Sequence, residues 1–411
     1  MTDRLTILWA KAGRLLPVDT GGKIRSYHLA RALARRHEVT MLTWYDGQRD
    51  AAYEEAMARE FPGAVTLRAG PRRVDPLSAG LRYAAGLFTG APFAIRKFTT
   101  SEVRALIDQW AGERRFDAMV CDFLSASLNF SRPESMPVVL FQHNVEASLW
   151  ARQAQHETNP VLRAVYGLEA ARMRRYEREA LRRFRHVVAV SPHDRDLMSA
   201  DVDPARITVV PTGVNVDQFA SAAGQEPSGP TVLFLGSMDW EANIDGVEWM
   251  AESIWPTVLA SVPDARFRIV GRNPHGRVLR LAGPSIEVTG AVPSVTEYLA
   301  EAQVVVVPLR IGGGTRLKIF EAMAAARAVV STSVGAEGLP VTHGVDLLLA
   351  DDPDAFARAV IEVLRTPDRR RSLGRAALAL AREHDWSRVA GVMEQAIDRV
   401  RERSSDAGRP G

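Results

Sequence analysis

Residues 304–324 read VVVVPLRIGGGTRLKIFEAMA. The four valines Val304–Val307 form an unbroken apolar run, the mark of a strand buried on both faces. Gly312, Gly313 and Gly314 follow, then Thr315, Arg316 and a helical segment that carries Lys318 and Glu321. Glycine lets backbone N–H groups approach an anion closely, and a following helix N-terminus adds partial positive charge. Arg316 and Lys318 add full charges, so the loop reads as a phosphate site. It has neither the G-K-[ST] ending of an ATPase loop nor a G-x-G-x-x-G fingerprint.

Working outward, similar apolar runs recur at Leu5–Ala10, Val39–Leu42, Ala118–Cys121, Val138–Phe141 and Val187–Val190, and again at Val232–Leu235, Phe267–Val270 and Ala328–Val330. Helical stretches such as Ile24–Arg36 separate them. Strand–helix alternation predicts α/β architecture with parallel, doubly wound, Rossmann-like sheets. The alternation breaks at 216–230, where Ser221, Gly224, Pro227, Ser228, Gly229 and Pro230 suggest a linker. The expected organisation is a first domain at 1–215, a linker at 216–230, a second domain at 231–385, a helix at 386–404 and a frayed tail at 405–411. Two such domains present their ligand-binding strand ends to a shared central cleft. The first half has its own glycine cluster, Asp19-Thr20-Gly21-Gly22-Lys23, after the first strand. By itself that cluster is more often a plain turn, but one phosphate loop per domain suits a nucleotide diphosphate.

Composition bounds the function. Of 411 residues, 46% are hydrophobic and 25% charged, which excludes a disordered or fibrous chain. A net charge of +3, from 52 basic and 49 acidic side chains, gives no argument for nucleic acid. No apolar run approaches ~18 residues, so no transmembrane helix is expected. Residues Met1–Ala12 lack the layout of a signal peptide, and the single Cys121 fits a reducing compartment, so a cytoplasmic location is expected. The basic residues are nearly all arginine; the lysines are Lys11, Lys23, Lys97 and Lys318, two of them beside glycine clusters.

The 306–324 stretch, together with Thr332–Leu339 (TSVGAEGL), Gln142-His143-Asn144, Val190-Ser191 and Pro211–Asn215 (PTGVN), resembles the retaining family-4 glycosyltransferases of the two-domain GT-B fold. The resemblance runs through nearly the whole chain in order. It implies an enzyme that moves a sugar from a nucleotide-diphosphate sugar to a glycan or lipid-linked acceptor, without a metal or other cofactor, in cell-surface polysaccharide assembly. It also implies that the C-terminal helix packs back on the N-terminal domain.

Residue by residue, Glu321 stands at the second acid of the family's E-x7-E motif, which holds the donor ribose; a carboxylate suits a vicinal diol. The first acid is replaced by Gly313, and no carboxylate occurs from Val304 to Phe320, so backbone N–H groups of Gly312–Gly314 would meet the sugar instead. Many relatives place an Arg in the loop that here reads Gly236-Ser237-Met238-Asp239-Trp240, and a Lys shortly after. This chain has no Lys or Arg between Pro230 and Ser261. Arg316 and Lys318 are assigned the missing charge, since groups that bind a leaving diphosphate lower the barrier directly. His143, at a strand end, is expected beside the reacting sugar, with Asn144 and Glu146 adjacent. Gly21, Gly22, Lys23, Gly236, Arg272, Val292 and Thr315 complete the expected donor contacts, Val292 through its backbone.

Other signals carry plain readings. Asp194-Arg195-Asp196 resembles a metal-binding D-x-D string, but it follows Ser191-Pro192 and reads as a first helical turn. No H-E-x-x-H or cysteine cluster exists, so no metal site is expected. His37, His156 and His384 are assigned surface or helix roles. The basic amphipathic stretch 162–185 either meets an anionic membrane surface or, more commonly, buries its apolar stripe in its own domain; the second reading is adopted. The segment 77–98 is a second membrane or acceptor candidate. A nucleotide-sugar epimerase on the same fold and a non-catalytic nucleotide-sugar-binding protein remain as rivals, the latter because of Gly313.

Overall fold

The computed structural model describes residues 4–68, 90–157, 159–311 and 317–406. They fall into two compact units: residues up to Pro211 with those from Val389 onward, and Thr212–Arg388.

The first unit is built on seven parallel strands: β1 (Thr6–Ala12), β2 (Glu38–Tyr45), β3 (Val65–Arg68), β4 (Ala118–Asp122), β5 (Val138–Phe141), β6 (His186–Ala189) and β7 (Ile207–Val209). Their order across the sheet is β3-β2-β1-β4-β5-β6-β7. β4, β5 and β6 are buried at every residue, which is why they read as unbroken apolar runs. The second unit has six strands: β8 (Thr231–Leu235), β9 (Arg266–Val270), β10 (Ile286–Gly290), β11 (Val304–Val307), β12 (Ala328–Ser331) and β13 (Leu348–Leu349), ordered β10-β9-β8-β11-β12-β13. In each sheet the chain reverses its direction of travel at one point, between β1 and β4 and between β8 and β11. Such switch points leave a crevice at the carboxyl ends of the strands, where ligands bind in doubly wound sheets.

Five helices bear on these crevices or on the unit boundary: α1 (Gly21–Ala34), α2 (Glu146–His156), α3 (Pro160–Arg183), α4 (Leu317–Ala324) and α5 (Trp386–Asp406). α3 buries Met173, Tyr176, Ala180 and Leu181 in the first core and exposes Arg174, Arg175, Arg178, Arg182 and Arg183. Its first turns differ: Val161, Leu162 and Leu168 are exposed. α5 crosses from the second unit into the first, where Met393, Ala396, Ile397 and Val400 are buried. His37 is not a surface residue. It is buried, accepts from the Leu5 N–H through Nδ1 (3.3 Å), and meets Glu394 of α5 through Nε2 (3.0 Å). His384 lies tilted against Phe320, ring centroids 4.7 Å apart at 33°.

Residues 216–230 are not a free linker. Asp217–Phe219 and Ala220–Ala223 are helical turns, and Phe219 and Ala222 are buried in the second unit's core. The chain passes between units at Pro211/Thr212 and again at Arg388/Val389. The Gly, Ser and Pro content around 216–230 masked two core side chains. Of segment 77–98, residues up to 89 lie outside the described part; beyond them Ile95 is buried and the Phe93 N–H donates to Glu169 Oε2 at 3.1 Å.

Two glycines test this packing from opposite sides. A Cβ on Gly271 would stand 1.6 Å from the Gly236 carbonyl oxygen, whereas one on Gly391 in α5 meets nothing within 4 Å. Gly271→Ala should therefore lower the denaturation midpoint by the equivalent of about 1–3 kcal/mol or more. Gly391→Ala should raise it by about 0.5–1 kcal/mol, as helix propensity dictates. Denaturant titration of both variants checks the pair.

Candidate functional site

In the first unit the crevice is organised by register. β1 and β4 pair with Lys11 opposite Asp122, and Asp122 in turn lies opposite Phe141 of β5. Asp122 is fully buried. It accepts from Trp9 Nε1 (2.9 Å) and His143 Nε2 (2.7 Å), and lies 3.4 Å from the Lys11 ammonium. Burial pushes the Asp122 carboxyl up, but the charge of Lys11 and the bond from His143 outweigh it and hold the group below the usual carboxylate range. Burial draws Lys11 down from its ordinary value while Asp122 resists.

His143 stands between charges of opposite sign. Arg25 Nη1 lies 3.3 Å from its Nδ1, and a guanidinium can only donate, so Nδ1 accepts and Nε2 carries the proton given to Asp122. Burial lowers the imidazole to about 3, with Arg25 and Lys11 acting in the same direction and Asp122 against them. His143 is thus neutral, with both nitrogens bonded inside the protein. The Phe123 ring lies flat on it, centroids 3.6 Å apart at 12°. A sugar hydroxyl reaches this imidazole only if Phe123 or one of those partners moves. Phe123 itself has φ 71° and ψ 151°, a region close to glycine-only. The ring explains Gly22, where a Cβ would stand 2.5 Å from Phe123 Cζ.

Beside this cluster is a pocket of about 440 Å³ lined by Lys11, Arg14, Thr20, Gly22, Lys23 and Phe123, among others. Three cations and no carboxylate line it. Lys23 is tied to Asp19 (2.9 Å) and to the Pro17 carbonyl (3.2 Å), and Arg14 to Asp50. Gly21 opens α1, whose N-cap Thr20 makes no side-chain cap. The fold therefore brings Gly22, Lys23 and His143 to one strand-end region and adds Lys11, Arg25, Asp122 and Phe123. The rarity of lysine was the one sequence signal for Lys11. Asp122, directly after an apolar run, was visible only as a strand end.

In the second unit β8 and β11 pair at Val232–Val304 and Leu233–Val305. Past these pairs the chain runs into Gly236 on one side and Pro308 on the other. Lys318, in the first turn of α4, donates to Asn243 Oδ1 (2.8 Å) and lies 4.2 Å over the Phe234 ring. Asn243 donates to the Ser237 carbonyl (2.8 Å), so Lys318 is tied to the loop after β8. Gly236 makes this possible: a Cβ there would be 2.8 Å from both the Lys318 ammonium and Asn243 Nδ2. Arg272 Nε donates to Ser237 Oγ at 3.0 Å, and Ser237 Oγ to Asp239 at 2.6 Å. Glu321 is half-buried one turn along α4, its carboxyl raised by burial and lowered in part by Lys318. The Val292 side chain packs against the second core. Gly312, Gly313, Gly314, Thr315 and Arg316 lie outside the described residues. Ser191 caps the helix Pro192–Met198 by accepting from the Asp194 N–H at 3.1 Å, so Asp194 stands in a first helical turn. Among the described residues no group of three or more His, Cys, Asp or Glu is arranged to hold a metal ion, and no helix is long and apolar enough to cross a membrane.

The buried groups give the first unit a signed pH response. An unfolded imidazole binds a proton below about 6.5 but native His143 only near 3, so His143 makes stability fall as pH drops through that window. Buried Glu177, raised by burial to about 7 from 4.5, acts oppositely and adds stability as pH drops from about 7. Urea midpoints at neutral and mildly acid pH should show steeper acid loss in Glu177→Gln and shallower loss in His143→Asn than in the parent protein.

Residues 20–218 match the family model for Glycosyltransferase Family 4, and residues 229–366 match that for Glycosyl transferases group 1. A 44.6 kDa protein in the cps region of Klebsiella pneumoniae is 24% identical over 260 residues, covering 60% of this chain and 65% of that one. The phosphatidyl-myo-inositol mannosyltransferase of Mycobacterium tuberculosis is 32% identical over 208 residues, covering 46% of this chain and 53% of the relative. The chain thus spans between about half and two thirds of these relatives' own lengths. Among solved structures, Anabaena Alr3699/HepE in complex with UDP has a TM-score of 0.67 at 14% identity, covering 96% of this chain and 100% of that one; the same protein is also known with UDP-glucose. Two sheets of the same doubly wound order, with the family models matching one in each unit, show that the chain belongs to the family-4 glycosyltransferases, with the α/β fold of the GT-B type.

Proposed function

We propose that this protein transfers a sugar, with retention of anomeric configuration, from a nucleoside-diphosphate sugar to a glycan or lipid-linked acceptor in cell-surface polysaccharide assembly. The observation that carries the reading is the Lys318 ammonium seated against Gly236 at the switch point of the second sheet. This is where a diphosphate lies in doubly wound sheets, and the loop that holds it has no Lys or Arg of its own between Pro230 and Ser261. The UDP and UDP-glucose held by the Anabaena protein support a nucleotide-sugar donor, and the phosphatidyl-myo-inositol named for the mycobacterial relative supports a lipid-linked acceptor.

On this reading Lys318 and Arg316 neutralise the leaving diphosphate, and Glu321 receives the ribose hydroxyls. In the first unit His143 is a neutral group near the sugar rather than a proton store, its one N–H given to Asp122, and it meets a sugar hydroxyl once Phe123 or one of its partners moves. The cationic pocket beside it suits an acceptor or donor carrying phosphate. The mechanism uses no metal. Retention follows if leaving group and acceptor occupy the same face of the sugar, with the diphosphate oxygen taking the acceptor proton.

A thermal-shift panel of UDP, GDP, ADP and TDP with their sugars tests this. Ligand at 100 times its dissociation constant adds about 2.7 kcal/mol of stability. One nucleotide should raise the melting temperature, and Lys318→Ala should abolish the shift and slow sugar transfer by roughly 100- to 1,000-fold. Near-parental turnover in Lys318→Ala would overturn the assignment. Tight nucleotide-sugar binding without transfer or hydrolysis would favour the binding-protein reading that Gly313 keeps open.

A further inference from the structure

The strand-end segment that carries His143 is fastened by one side chain from a different helix. Glu177 of α3 is buried, and its carboxylate faces residues 142–147. Oε1 accepts from Gln142 Nε2 (3.0 Å) and from the Glu146 N–H (2.9 Å); Oε2 accepts from the Ala147 N–H (3.1 Å). His143 lies between these anchor points. The backbone at Gln142 is held separately, its N–H donating to the Val188 carbonyl of β6 at 2.8 Å.

The need for Glu177 is visible in α2. Its N-cap is Val145, which makes no side-chain cap, so the first N–H groups of an eleven-residue helix start without a local acceptor. Glu177 supplies the cap from outside, and its charge complements the positive helix end. Glu177 is itself well held: neighbouring Tyr176 OH meets Ser127 Oγ at 2.6 Å, and Met173, Ala180 and Leu181 are packed in the core. The carboxylate therefore transmits the rigidity of α3 to the segment 142–147.

We propose that Glu177 is a positioning residue: by fixing Gln142, Glu146 and Ala147 together it sets the direction in which His143 leaves the strand, and so keeps Nε2 on Asp122 and Nδ1 on Arg25. This rests on the reading that His143 serves the transferred sugar. Both carboxylate oxygens are needed as acceptors. A glutamine would turn an NH2 toward one of the donors it must receive, so Glu177→Gln breaks the clamp with almost no change of shape.

The test is the nitrogen NMR spectrum of protein labelled with 15N-histidine, the His143 signals being assigned by their loss in His143→Gln. In the parent protein His143 should appear as the neutral Nε2–H tautomer at about pH 8.5, where the Glu177 carboxyl is ionised. In Glu177→Gln its signals should shift or broaden at the same pH, with UDP binding unchanged and the fold retained. Glu177→Asp, which keeps two acceptor oxygens, should move them part of the way back. Should Glu177→Gln not fold, Gln142→Leu removes one of the three anchors and should shift the signals the same way, by less. His143 signals that coincide with those of the parent protein in a folded variant would overturn the proposal. His143→Ala, followed by UDP release from UDP-glucose, addresses the underlying reading separately. Full turnover there removes His143 from the reaction and leaves the clamp standing.

Discussion

The first unit depends on an anion that water does not reach. Asp122 is fully buried, yet it accepts from Trp9 and His143 and faces Lys11. Removing one partner of such a buried pair costs about 3–5 kcal/mol, because the other is left charged and unpaired. That asymmetry makes the cluster an all-or-none arrangement. The same carboxylate sets the tautomer of His143, since the proton on Nε2 has Asp122 as its acceptor while Arg25 occupies Nδ1. It also sets the place of Phe123, the next residue, whose backbone lies where glycine is usual, at a cost of about 1–3 kcal/mol. The conformation persists because the ring is fixed on three sides: by His143, by Lys11 at 4.2 Å and by the side-chain-free surface of Gly22.

The second unit solves the corresponding problem with neutral partners. Lys318 is positioned by the amide oxygen of Asn243 and the face of Phe234, and Asn243 by the Ser237 carbonyl. Both of these partners are neutral, and the Glu321 carboxylate one turn along α4 feels the ammonium as well. In the first unit the Lys11 charge is answered by Asp122, that of Arg14 by Asp50 and that of Lys23 by Asp19. Burial lowers Arg25 only to about 10, which leaves it charged at neutral pH. The two crevices thus share a topology and differ in how a lysine is held: against a buried carboxylate in the first, against an amide oxygen and an aromatic face in the second.

What the sequence disclosed followed burial. β4, β5, β11 and β12 are covered on both faces, and their apolar runs could be read directly. β3 (VTLR) and β10 (IEVTG) are edge strands whose residues are part-exposed, so they carry polar side chains and no clear run. The Lys318 and Glu321 pair was legible because motif, charge and helix stand within one short stretch. The Lys11–Asp122 pair was not, because its members are 111 residues apart and meet only through the β1–β4 register. Glu177 was hidden for a related reason. On an arginine-rich amphipathic helix it reads as one more surface charge, and only the docking of α3 shows that it faces an uncapped helix start.

Lys11 and Lys318 occur in a chain where only 4 of 52 basic residues are lysine. Geometry explains the choice. At Gly236 the ammonium lies 2.8 Å from where a Cβ would stand, and it touches an amide oxygen and an aromatic face at once. At Asp122 the ammonium must fit between two paired strands, with Phe123 above it. A guanidinium is a wide planar fork whose five donors demand partners; an ammonium is a compact charge on a flexible stem. In a buried crevice with one or two acceptors in reach, arginine would leave donors unsatisfied, and lysine does not. At two of its four lysines, buried Lys11 and part-buried Lys318, the chain thus sets a compact positive charge at the switch point of each sheet.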